Sequence, residues 1–202
     1  TLVLFTQSKP GLADNPAAKT GWKVISVPDV RWGRRDMGPI QFVPPIDGLS
    51  IRRVAEEDHE RLCQVGPIEI DDLRERLARG DWGYLATLDD RPAGYCWIQF
   101  SGVHRVSQAG IDRAIPPGEN MVYNGRTAEF ARGQRVYPLI LVRILEDLSA
   151  AGHKSAWGYV NSDNEASMRG LARLGFDYQG EWKGDRLAVL PGQPQRHQAS
   201  HR

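Results

Sequence analysis

One apolar stripe between two strand-like runs constrains this chain more than any other feature. Residues 136–151 carry Val136, Leu139, Ile140, Ile144, Leu145 and Leu148 on one face of a helical repeat. Gly152 ends that repeat. Residues 121–127 before it and 155–160 after it read as strands. A strand, a helix and a strand in that order make a crossover, and crossover strands lie parallel in one sheet. Such a sheet needs cover on both faces.

The remaining elements add antiparallel strands to this unit. Residues 51–54 alternate as a strand. A helix is expected over 55–65, with Glu56, Glu57 and Asp58 in its first turn, where acidic groups suit the helix dipole. A second helix is expected over 67–79, with Ile70, Leu73 and Leu77 at helical spacing and Gly80 as its stop. Residues 82–88 and 93–100 form a hairpin around Asp89-Asp90-Arg91-Pro92. Residues 101–119 read as a loop that ends in Pro116-Pro117-Gly118. A helix over 164–174 and a hairpin of 176–182 with 186–190 close the chain. The expected fold class is therefore α/β, an α+β mixed sheet with helices on both faces.

The 202 residues divide into three parts on this reading. Residues 1–49 are rich in Gly and Pro and form an N-terminal extension, with short strand-like pieces at 3–5, 22–27 and 40–43. Residues 50–190 form the domain. Residues 191–202 have little to bury and are expected to be a mobile tail. The extension equally suits a homodimer contact.

Composition narrows the partners. Lys plus Arg number 26 against 25 Asp plus Glu, so the net charge is +1 and no basic excess points to a nucleic acid. No apolar run approaches the roughly 20 residues that span a membrane. The sequence opens with no leader-like segment, and cytoplasm is the expected compartment. Cys63 and Cys96 stand far apart and read as two buried thiols, without zinc or redox spacing. His197 and His201 lie on the polar tail and read as solvated, so no metal is expected.

Chemistry concentrates in two stretches. The first is Thr127-Ala-Glu-Phe-Ala-Arg132-Gly133-Gln134-Arg135-Val136-Tyr137-Pro138, where a strand ends, a loop turns and the long helix starts. The first N–H groups of a helix have no internal partner, and with the dipole they form an anion site. Gly133 permits close approach, Arg132 and Arg135 bring fixed charge, and Pro138 in the first turn sacrifices no helical bond. A plain connector with two solvated arginines explains the same residues. Neither a Gly-x-x-x-x-Gly-Lys-Ser/Thr nor a Gly-x-Gly-x-x-Gly pattern occurs. The second stretch is Asn161 to Phe176, where Asn164 caps a helix, Met168, Leu171 and Leu174 give it an apolar face, and Gly175 stops it.

With both stretches in place, the sequence resembles the GCN5-related N-acetyltransferase (GNAT) superfamily over roughly residues 50–190. Arg132-Gly133-Gln134-Arg135-Val136-Tyr137 stands where that family has its Arg/Gln-x-x-Gly-x-Gly/Ala pyrophosphate loop. Arg135 and Tyr137 replace the usual small residues. Asn164, Ser167 and Gly175-Phe176 match the family's second element, while Leu171 stands where many members have a tyrosine acid.

The resemblance implies a GNAT-like fold with two splayed parallel strands, 121–127 and 155–160, and acetyl-CoA or another acyl-CoA as cosubstrate between them. Asn124-Gly125 in the first strand reads as a bulge that helps the strands part, with a tight hairpin turn as the other reading. Arg132, Gly133, Gln134, Arg135, Val136 and Tyr137 would hold the pyrophosphate, and Asn164 and Ser167 would line the CoA arm. A backbone N–H near Thr127 would stabilise charge on the thioester oxygen. Tyr123 and Tyr159 are the candidates for proton transfer, with Glu119, Glu129 and His104 on flanking loops as further bases. The implied reaction is direct acyl transfer to the amine of a small polar acceptor. The alternatives are a catalytically silent CoA or ligand binder, and an acyltransferase with a longer donor or a protein acceptor.

Overall fold

The computed structural model describes residues 23–26, 29–107, 109–182 and 186–189, the two outer segments by backbone alone. The expected strand at 3–5 and the tail at 191–202 lie outside the described residues. Strands β1 (Lys23–Ser26), β2 (Val30–Asp36) and β3 (Leu49–Arg53) come first. A 3-10 turn at Glu56–Asp58 then leads into α1 (His59–Cys63), and α2 (Ile70–Ala78) follows. Next are β4 (Trp82–Leu88), β5 (Arg91–Gln99), β6 (Val103–Val106), β7 (Ile111–Ala114) and β8 (Met121–Thr127). The chain continues through α3 (Val136–Ala150), β9 (Ser155–Asn161), α4 (Glu165–Arg173), β10 (Asp177–Trp182) and β11 (Arg186–Val189).

Seven strands form one sheet in the order β10-β2-β9-β8-β5-β4-β3. The crossover expected through α3 is present, and β8 and β9 pair in parallel. Alternation along β5 shows how the sheet divides its core. Cys96 and Ile98 face α3 and α4, joining Ile140, Ile144 and Leu171. Tyr95 and Trp97 face the opposite side, joining Leu62 of α1 and Leu73 of α2. Both faces of β5 are thus buried, which is why its sequence reads as a nearly unbroken apolar run.

Several expectations are corrected. Residues 30–36, set in the N-terminal extension, form an interior strand between β9 and β10. Its sequence, Val-Arg-Trp-Gly-Arg-Arg-Asp, carries too much charge to announce a buried strand. Residues 176–182 and 186–190 do not make a hairpin with each other: β10 pairs with β2, and β11 pairs with β1. The expected loop at 101–119 contains the β6–β7 hairpin. Residues 40–43 carry no strand, and of the two thiols expected to be buried Cys96 is buried and Cys63 is exposed. No helix among the described residues is long and apolar enough to cross a membrane.

Arg35 shows how β2 is fixed in place. It is buried, and its guanidinium donates to the carbonyls of Leu174, Asp36 and Pro39. The Leu174 carbonyl lies at the C-terminal end of α4, where a cation also meets the negative end of the helix dipole. Arg35→Leu leaves those buried carbonyls without a donor, and a loss of about 3 kcal/mol is expected in urea unfolding. An unchanged midpoint would show that the N-terminal strand is not held through this contact.

Candidate functional site

Parallel pairing between β8 and β9 is brief. Met121 pairs with Trp157 and Val122 with Gly158, and no further register pair joins these strands. On its other edge β8 stays with β5 but passes from Tyr123 to Arg126 while β5 passes from Trp97 to Tyr95. That mismatch is a bulge at Asn124-Gly125, and Asn124 takes a left-handed φ of 48°. The bulge reading is the one the structure supports, since the strand continues to Thr127. Beyond Val122, the β8 groups that face β9 have no strand partner there.

A cavity of about 1250 Å³ opens at this divergence. Its walls run from the loop before α3, through the gap between β8 and β9, to α2 and the β6–β7 hairpin. Eight arginines and two carboxylates line it, so its field favours an anionic ligand.

The loop at one end has the geometry of an anion site. A 3-10 turn at Glu129–Ala131 delivers the chain to Arg132, Gly133 and Arg135, all exposed and all lining the cavity. Arg135 has a φ of 66° and Gly133 a φ of 75°. Arg135 therefore keeps the left-handed backbone that a glycine at this position would adopt, with its side chain directed to solvent. The N–H groups at the start of the 15-residue α3 open into the cavity beside buried Val136. Gln134 is the exception among the predicted loop residues. Its amide turns back to donate to the Phe130 carbonyl at 2.7 Å, and it is not part of the cavity wall.

Tyr137 lies deeper. Its ring packs against Gly125 on the β8 side of the gap, where a Cβ would collide with it. Burial and the neighbouring Cys96 hold its hydroxyl protonated well above the usual tyrosine range. Thr127, Asn164 and Ser167 line the same cavity. The Asn164 side chain accepts the Ser167 N–H at 3.1 Å and so caps α4. Leu171 is buried at the position of the family tyrosine.

At the other end the two predicted tyrosines have different partners. Tyr123 donates its hydroxyl to Asp81 at 2.6 Å, and Asp81 in turn receives two donors from Arg79. Burial and that carboxylate push Tyr123 well above the usual range. Tyr159 bonds instead to His104 Nε2 at 2.9 Å.

The direction of that last bond follows from its neighbours. Gln99 Nε2 donates to the carbonyls of Ser101 and Val103, which leaves Oε1 facing His104 Nδ1 at 2.9 Å. Nδ1 must then carry the proton, and Nε2 is the lone pair that accepts from Tyr159. Burial, with Arg79 and Arg76 nearby, lowers the His104 pKa to about 4, so the ring is neutral at physiological pH. Burial raises Tyr159 to about 12. His104 is carried by the β6–β7 hairpin, where its cross-strand partner is Arg113. The Arg113 guanidinium lies 4.4 Å from the Trp157 ring centre and 5.2 Å from Trp32, which pins the hairpin to the sheet. Glu119 and Glu129 are not among the cavity's lining residues.

Sequence reasoning missed Asp81, Gln99 and Arg76. Asp81 follows Gly80 at a helix end and reads as turn chemistry, and Gln99 is a polar residue at the end of a strand. Neither position carries a local signal for its distant partner.

Solved structures share this fold. A GCN5-related N-acetyltransferase from Sphaerobacter thermophilus matches 88% of this chain with a TM-score of 0.64 at 15% identity. A protein of the GNAT family from Novosphingobium aromaticivorans DSM 12444 matches 84% with a TM-score of 0.58 at 17% identity. A GCN5-related N-acetyltransferase from Kribbella flavida matches 89% with a TM-score of 0.53 at 18% identity. The chain has the GCN5-related N-acetyltransferase fold. It spans 56%, 68% and 65% of those three chains' own lengths, in the same order. No protein-family model and no curated protein matches the sequence.

The His104 pKa carries a stability consequence. The folded state holds the imidazole below its ordinary value of 6.5, so the unfolded chain binds the proton first as pH falls. His104 therefore contributes stability that is present above pH 6.5 and is lost between there and about 4. In thermal melts over that window, His104→Gln is expected to lose less stability than wild type. Parallel pH curves for the two proteins would contradict a buried neutral histidine.

Proposed function

We propose that this chain binds acetyl-CoA, or another acyl-CoA, and transfers the acyl group to the amine of a small polar acceptor. The observation that carries this reading is the continuity of the cavity. One passage joins the N–H groups of α3, the unpaired edge of β8 and the His104–Tyr159 pair.

The residues present fit that cosubstrate. The N-terminus of α3 with Arg132 and Arg135 suits a pyrophosphate. Thr127, Asn164 and Ser167 would line the arm in the gap. The bound cosubstrate would supply an activated acyl thioester, whose C–S bond breaks as the C–N bond forms and whose sulfur leaves as a thiolate. Freed from the ladder, the β8 backbone N–H groups at the bulge are fixed donors for charge that develops nearby.

Proton transfer falls to the chain's own residues. Tyr159 takes the proton of the acceptor amine as its own hydroxyl proton passes to His104 Nε2. Gln99 holds His104 in the required tautomer and continues to accept from Nδ1–H. Tyr123 is assigned a positioning role, because its proton is committed to Asp81 and its ring centre lies 4.8 Å from that of His104. Holding the amine and the acyl donor in one cleft contributes further rate through positioning.

A second reading, a silent ligand binder, has one observation behind it. The Tyr137 ring lies on the β8 side of the gap that the arm is to enter. Calorimetric titration with acetyl-CoA separates the two readings. Saturable binding that weakens about tenfold in Arg132→Ala, with unchanged melting, is expected. Binding seen only in Tyr137→Ala would make that ring a plug and favour the silent reading. An absence of binding in both proteins would remove the CoA assignment.

Given binding, Tyr159→Phe is expected to lower kcat by about a hundredfold with little change in acetyl-CoA affinity. Full activity in that variant would remove Tyr159 from the proton path.

A further inference from the structure

The proton path leaves Arg76 unused. This half-buried residue lies on α2, on the wall of the cavity at the His104 end. Its guanidinium lies over two rings, 5.1 Å from the centre of Trp97 and 5.3 Å from that of Tyr123. With the Asn124 amide turned so that its oxygen faces α2, Oδ1 accepts from Nη1 at 2.8 Å and Nη2 at 3.2 Å. A neutral amide is thus its polar partner at the bulge.

Arg79 and Arg105 beside it are neutralised and Arg76 is not, while Arg126, also without an ion pair among the described residues, packs its side chain against Gly66. Arg79 gives two bonds to Asp81, and Arg105 pairs with Asp112. Asp72 and Glu75 line the same wall as Arg76, yet no carboxylate among the described residues closes an ion pair with it. Aromatic faces fix the plane of the guanidinium and keep its fork ordered. A fork of that kind, partly withdrawn from water and short of an anion, matches a carboxylate. The arginines of the α3 loop stand at the far end of the cavity, where the proposed pyrophosphate belongs, so they do not supply this role.

We propose that Arg76 recognises the acceptor, and that the acceptor is an amine which also carries a carboxylate. This inference rests on the acyltransferase reading for the amine and on the Arg76 geometry for the carboxylate. A carboxylate on Arg76 lies at the Tyr159 end of the cavity and directs the amine of the same molecule toward the proton path. It also offsets one of the positive charges that face His104, whose charged neighbours are Arg79, Arg76 and Asp81.

The test uses the full chain, acetyl-CoA and a panel of L-amino acids, each beside its own C-terminal amide. The amides have the less basic amines and hold more of the reactive free base at neutral pH, so intrinsic reactivity favours them. Wild type is expected to prefer the acids in kcat/KM by about ten- to a hundredfold, through KM. Arg76→Gln is expected to abolish that preference and Arg76→Lys to retain part of it. Arg74→Gln, a partner of Glu56 on the exposed side of α2, is expected to keep it.

A preference for amides in wild type, or the same acid preference in Arg76→Gln, overturns the inference and leaves the acyltransferase reading standing. Failure of every acceptor shows that none of these amines is acylated and leaves other small polar amines to the acyltransferase reading. Calorimetry with N-acetyl-L-amino acids then decides the carboxylate site by itself. Binding to wild type that is lost in Arg76→Gln supports it, and equal binding or none overturns it.

Discussion

The site depends on β8 and β9 ceasing to pair after Val122. Parallel strands ordinarily keep an evenly spaced ladder, and a continuous ladder would leave no opening through the sheet. Here the Asn124-Gly125 bulge bends β8 away while β5 keeps its hold on the far edge. The open backbone of β8, the gap and the cavity beside it accompany one extra residue. Gly125 is required because the Tyr137 ring leaves no room for a Cβ there. The bulge also sets Asn124 within reach of Arg76, so the element that opens the sheet orders the guanidinium beside it.

The cavity's two ends handle charge in different ways. At the α3 end, exposed arginines, a positive helix terminus and left-handed backbone at Gly133 and Arg135 gather positive potential in contact with solvent. Screening by water limits each charge there, and an anion with several acceptor oxygens collects many weak contributions. At the His104 end, burial makes each polar group consequential. Gln99, His104 and Tyr159 form a chain in which every role is fixed by the next bond, and Asp81 is shared between Arg79 and Tyr123. One end is built to attract and the other to orient.

Local pattern revealed the elements and not their partners. The α3 stripe, the Asn164 cap and the bulge dipeptide are signals carried within a few residues, and each was legible in the sequence. Val30–Asp36 was not, because three arginines and an aspartate in seven residues describe a surface strand. Its burial depends on Arg35 finding the Leu174 carbonyl at the end of α4, 139 residues away. The β6–β7 hairpin was missed for a related reason. Its strands have four residues each, and it is held by the Arg113–Trp157 contact, which exists only after the sheet has formed. Arg132, Gly133 and Arg135 were legible as an anion loop because the helix they precede supplies the chemistry. His104 was visible only as a histidine on a loop.

Tyr123 and Tyr159 show how much the missing partners matter. In sequence both are tyrosines on neighbouring strands with nothing to separate them. In the fold, one meets a carboxylate held by an arginine and the other meets a lone pair on imidazole. A hydroxyl that donates to a carboxylate has a proton fixed by charge, and moving it away costs an ion-assisted bond. A hydroxyl that donates to a neutral imidazole faces a lone pair that can accept its proton as another arrives at the oxygen. The direction of the second bond rests on Gln99, whose own amide is fixed by two main-chain carbonyls of the following loop. The distinction between the two tyrosines thus begins in the backbone at Ser101 and Val103, which contribute here through their main-chain carbonyls.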